Sequence, residues 1–117
     1  MMDGVRAERV RIFLAIDRER ERQDRLWGEQ NHPIIRPEEA PFHVRFETDA
    51  KKNCDEHAAK GDLSWYDIAT EEFAEIFGSE RIEDQQRECI HLAAVVVSMY
   101  ERLERLKKER ATRETTA

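Results

Sequence analysis

Four residues have the types and spacing for metal chemistry: Glu72, Glu75, Glu88 and His91. They lie in the stretch TEEFAEIFGSERIEDQQRECIH, residues 70 to 91. Glu72 and Glu75 are one helical turn apart, and so are Glu88 and His91. Glutamates on a helix normally face water, yet these three fall on or beside the stripes where apolar residues would bury. An unpaired buried carboxylate is very costly, so it must be neutralised, paired or bound to a cation. Carboxylates with only mutual repulsion between them would titrate upward or push their helices apart. A divalent metal removes the conflict: Mg²⁺ takes a few carboxylates, keeps several waters and leaves positions for phosphate oxygens. The competing arrangement pairs the same acids with Arg81, Arg87 or arginines of the first helix, and spacing does not choose between the two. His91 fits either a metal ligand or a hydrogen-bonded structural histidine.

The elements that would position these groups read as four helices. The first is expected from about Asp3 to Leu26, with Val5, Ile12, Ile16, Gln23 and Trp27 on one side and RERERQDR as a solvated, ion-paired face. Gly28 ends it. The run EQNHPIIRPEEAPFHV holds all three prolines and is expected as a loop to about Val44. A second helix is expected from Arg45 to Lys60, stopped by Gly61. SWYD, residues 64 to 67, has capping-box spacing and starts a third helix that closes at Gly78. On its wheel Trp65, Ile68, Ala69, Phe73 and Ile76 share a stripe that includes Glu72 and borders Glu75. Ser79 is expected to cap a fourth helix with the stripe Leu92, Val95, Met99, Leu103 and Leu106, which Glu88 extends and His91 flanks. Glu71, Glu80 and Glu83 are expected at the surface.

These elements predict an all-α fold, a four-helix bundle in one domain over residues 1–110, with a flexible tail over 111–117. The chain's 117 residues suit one domain, with 39% hydrophobic and 39% charged residues giving a thin core and a charged surface. Net charge of −6 disfavours a broad grip on DNA or RNA, so no direct nucleic-acid binding is expected. Two cysteines, Cys54 and Cys89, are too few for a disulfide framework, and Cys89 in its apolar run is expected in the core. No segment approaches the ~20 apolar residues of a membrane span. A cytoplasmic protein with no membrane partner is expected. Apolar residues around much of CIHLAAVVVSMY predict burial on several sides and hence a homodimer or higher oligomer.

The segments EEFAE and ECIHLAAVVVSMYERL resemble the second and third helices of the MazG-like, all-α nucleoside triphosphate pyrophosphohydrolases. That family carries an E-x-x-E element followed by E-x-x-D on the next helix. The likeness is closer to a small actinobacterial and phage branch, through RQDRLWGEQNHP, NCDEHAAKGDLSWYDIATEEFAE and ECIHLAAV. Together these span about residues 22 to 101.

The resemblance implies Mg²⁺, or Mn²⁺, as cofactor, with Glu72, Glu75, Glu88 and His91 as the metal set. His91 stands where the family has aspartate; imidazole is a poor ligand for Mg²⁺ and suits Mn²⁺ better. It implies hydrolysis of a nucleoside triphosphate to monophosphate and pyrophosphate, with Glu75 as the candidate general base. Trp27, Asn31 and His32 are candidates for contact with a base, and Lys51 and Lys52 for contact with phosphate. Each has a plainer reading as a loop anchor or a solvated lysine. Two alternatives stand beside the enzyme: a nucleotide-binding or sequestering protein without turnover, and a helical interaction module in which the acids are simply ion-paired. No glycine-rich phosphate cradle is present, which excludes a P-loop mechanism.

Overall fold

The computed structural model describes residues 2–116, and every regular element among them is helical. The chain divides into two compact units, residues 1–33 and 34–117.

The first unit holds α1, Met2–Trp27. Gly28 terminates it with φ 63°, its N–H donating to the Asp24 carbonyl at 2.8 Å. That left-handed backbone is open to glycine at little cost. The ion-paired face is present: Arg20 pairs with Asp24 at 2.9 Å and Arg22 with Glu19 at 2.8 Å. Both pairs are solvated and add little stability individually. Of the expected apolar stripe Ile12 is buried and Gln23 half-buried, whereas Val5, Ile16 and Trp27 are exposed.

The second unit contains a short 3₁₀ turn, Pro37–Glu39, then α2 (Ala40–Lys60), α3 (Trp65–Gly78) and α4 (Ile82–Thr116). Helix α2 starts at Ala40 rather than at the expected Arg45, with Pro41 inside its first turn. First-turn N–H groups have no intrahelical acceptor, so proline loses nothing there and its φ is already helical. Gly61 closes α2 as expected, at φ 76° with its N–H on the Ala58 and His57 carbonyls.

The capping box of α3 is complete. Ser64 Oγ accepts from the Asp67 N–H at 3.2 Å, and Asp67 Oδ2 accepts from the Ser64 N–H at 3.0 Å. Ser64→Ala is expected to cost about 1 kcal/mol, read as a fall of a few degrees in Tm by thermal unfolding.

Within the second unit, α2 and α3 run antiparallel, as do α3 and α4, and their cross-contacts fix the register. His57 on α2 meets Asp67 on α3 at 2.9 Å, and one turn further the Cys54 thiol donates to Glu71. At the far end the Glu47 side chain lies over Gly78, in the space a Cβ there would need. Small Ala50 and Ala74 are both buried, which suits close approach of the same pair.

Helix α3 thus lies between α2 and α4 and buries two faces rather than one stripe. This explains three departures from the wheel. Phe73 points between the two contacts and is 48% exposed. Glu71, expected at the surface, turns toward α2. On the fourth helix Cys89 is exposed, and the buried thiol is Cys54. Ser79 occupies the C-cap of α3, where its carbonyl accepts from Gln85 Nε2 at 2.9 Å, and α4 begins only at Ile82. Helix α4 runs through residues 111–116, the segment expected as a tail; Ala117 lies outside the described residues.

Candidate functional site

The antiparallel pairing of α3 and α4 brings together four groups that the sequence separates. Glu72 and Glu75 project from α3, and Glu88 and His91 from the first half of α4. Glu72 faces His91 while Glu75 faces Glu88, as a tight turn through Ser79, Glu80 and Arg81 requires. His91 Nδ1 lies 3.1 Å from Glu88 Oε2 and 3.8 Å from Glu72 Oε2. One potential ligand atom from each of Glu72, Glu88 and His91 lies within 4.8 Å of the others. Glu75 is not in that converging trio; its carboxyl hydrogen-bonds Glu88.

Charge is poorly compensated here. Arg81 pairs with Glu83 at 3.9 Å and Arg87 with Asp84 at 3.1 Å, so both are engaged at the surface away from the cluster. The buried Glu72 Oε2 has no hydrogen-bond partner. Burial pushes the Glu72 carboxyl above its ordinary pKa, and the Glu88 charge adds to the shift. Glu75 is pushed up to about 8, first by burial, then by its hydrogen bond to Glu88 and repulsion from Glu72. Glu88 moves the other way. Burial would raise it, but hydrogen bonds from Glu75 and His91 and the imidazole's charge hold it down. Without a cation, the pair therefore keeps one proton near neutrality, on Glu75 and shared with Glu88.

The residue types suit a divalent cation that accepts oxygen and imidazole nitrogen. Glu72 and Glu88 offer hard carboxylate oxygens to the cluster, and the Glu72 oxygen without a hydrogen bond belongs to the same group. Imidazole in third place moves the set toward Mn²⁺ relative to an all-oxygen site. A comparison with protein-family models, curated proteins and solved structures finds no match to the chain. The likeness to MazG-like enzymes therefore rests on the quoted sequence segments alone.

The remaining candidates stand elsewhere. Trp27, Asn31 and His32 are exposed residues of the first unit, and Asn31 Nδ2 donates to Glu29 Oε2 at 2.9 Å. Lys51 and Lys52 are exposed on α2. Sequence reasoning missed the second polar cluster on α3, where Cys54, His57, Asp67 and Glu71 join α2 to α3. Glu71 lies one position, about 100° of helix, from Glu72, which was the signal that α3 has two partners. Among the described residues no helix is long and apolar enough to cross a membrane.

Proposed function

We propose that the chain is a metal-dependent nucleotide pyrophosphohydrolase, self-associating as a helical bundle, with its centre at Glu72, Glu75, Glu88 and His91. The observation that carries this reading is the buried Glu72 oxygen that lacks a hydrogen bond and faces Glu88 and His91 across two helices. An acid cluster kept for stability alone would recruit the nearby arginines, and here they pair elsewhere.

Glu72, Glu88 and His91 would hold the cation. Mg²⁺ or Mn²⁺, when bound, orients phosphates, offsets charge on phosphoryl oxygens and acidifies bound water. Glu75 sits beside the proposed ligands, and a cation bound there would displace the proton it shares with Glu88 and leave its carboxylate free to act as a base. It would take the proton of the attacking water as the new oxygen bond to the α-phosphorus forms. The bond from that phosphorus to the bridging oxygen breaks, and pyrophosphate leaves.

A second reading is favoured by one observation: His91 replaces the carboxylate that the resemblance calls for. On that reading the chain binds a nucleotide without turning it over. Incubation with a panel of nucleoside triphosphates and either metal separates the two, with pyrophosphate as the readout. The enzyme reading expects release that is stronger with Mn²⁺ than with Mg²⁺. It also expects His91→Asp to reverse that preference, by roughly tenfold or more in relative rate, as the donor set hardens. Metal-dependent nucleotide binding with no release from either protein supports sequestration. No metal-dependent binding at all rejects both.

A further inference from the structure

We infer that two copies of the chain pair through the outward face of α4, antiparallel and centred on Val96. This rests on the self-association proposed above and gives it a surface and a register; it is independent of whether the acids hydrolyse anything.

Cys89, Ala93, Val96, Tyr100 and Leu103 recur along α4 at alternating spacings of four and three. All five are exposed, Leu103 by 60% and Val96 and Tyr100 by 49% each. Helix α3 meets a different side of α4, the one bearing Glu88 and His91. An apolar seam at this period matches the stripe that a second helix covers in a coiled coil.

Size and charge along the seam choose the occupant and its direction. The small residues, Cys89 and Ala93, precede Val96, and the large ones, Tyr100 and Leu103, follow it. Parallel copies would crowd Tyr100 against its own counterpart and leave a gap at Ala93. A two-fold axis at Val96 instead sets Cys89 level with Leu103 of the partner and brings Ala93 within one residue, about 1.5 Å of rise, of Tyr100 of the partner. Each large side chain then meets a small one, and the same patch serves both copies.

The charges agree. Residues 101–114 hold six basic and four acidic side chains, whereas 80–88 hold two basic and four acidic. Antiparallel pairing lays the basic end of each helix on the acidic start of the other. Parallel pairing would put basic on basic.

The test uses the full chain and a Cys89→Ser/Val96→Cys variant, with sedimentation velocity at micromolar concentration and diamide as the thiol oxidant. Facing positions on helices packed 8–10 Å apart place Cα atoms about 4–6 Å from each other, within disulfide reach. Two Cys89 residues across this axis are about 21 Å apart, fourteen helical rises of 1.5 Å. The expected result is a dimer that diamide leaves uncross-linked in the wild type and converts almost fully to a disulfide-linked pair in the variant. A dimer cross-linked through Cys89 means a parallel seam and overturns the register. A dimer in which neither protein cross-links assigns self-association to another face and overturns this one. A monomer in both overturns the pairing and the proposed self-association together, while leaving the metal chemistry to its own assay.

Discussion

Glu72→Gln is expected to reduce metal-dependent pyrophosphate release by roughly 100-fold or more while making the metal-free protein more stable. The activity loss follows from removing one of two carboxylates in the proposed three-group donor set. A single preorganised electrostatic contact at a phosphoryl centre is worth about 10²–10³ in rate. The gain in stability has a different origin. Glu72 Oε2 is buried without a hydrogen bond, and its carboxyl is held above its ordinary pKa by burial and by Glu88. Glutamine removes the charge, keeps the shape and offers an N–H to Glu88. Relief of an unsatisfied buried oxygen is worth about 1 kcal/mol, a rise of a few degrees in Tm. Steady-state rates and thermal unfolding in chelator check the two halves separately. A variant that loses both activity and stability would show that Glu72 supports the fold and would remove the main argument for a cation site.

The second large effect is on pH dependence. Folded Glu75 keeps its proton up to about 8, whereas an unfolded glutamate releases it near 4.5. A carboxyl whose folded pKa is raised stabilises the fold in its protonated form. That contribution is complete below the unfolded value and is lost as pH rises through about 8. Asp67 and Glu39 are depressed by their own partners, so their contributions are lost on acidification instead. Metal-free protein should therefore be most stable near pH 5 and weaken steadily toward pH 8. Glu75→Gln mimics the protonated state and should flatten that slope, matching the wild type at pH 5 and exceeding it at pH 8. Denaturant midpoints across this range, in chelator, provide the measurement. Parallel slopes for the two proteins would mean that Glu75 does not hold the proton.

Much of this arrangement is legible in the residues. Caps and breakers act through local chemistry, which is why Gly28, Gly61 and the Ser64–Asp67 box lie where the sequence puts them. The inward turn of Glu72 and Glu88 follows from helical spacing alone. Pro41 misleads because a proline is a breaker only where it removes a hydrogen bond, and the first turn has none to lose. Cys89 and Phe73 mislead for a different reason. An apolar residue on a helix shows which face is greasy, but not how many neighbours the helix has. Helix α3 has two, so its polar positions at Glu71 and Glu72 are divided between them. Helix α4 has apolar residues on more sides than α3 covers. The proton shared by Glu75 and Glu88 is not readable from spacing, because it depends on distances that only packing sets.

The contrast between the two thiols also has a practical side. Cys54 is buried, donates to Glu71, and is pushed up to about 11, so at neutral pH it stays a thiol and reacts slowly. Cys89 is open to solvent on the proposed seam and one position from Glu88, a proposed metal ligand. For alkylating probes the chain thus behaves as if it carried a single addressable sulfur. A fluorophore attached there under dilute conditions would sit between the acid cluster and the helix face, and would report on cation loading and on contact between copies.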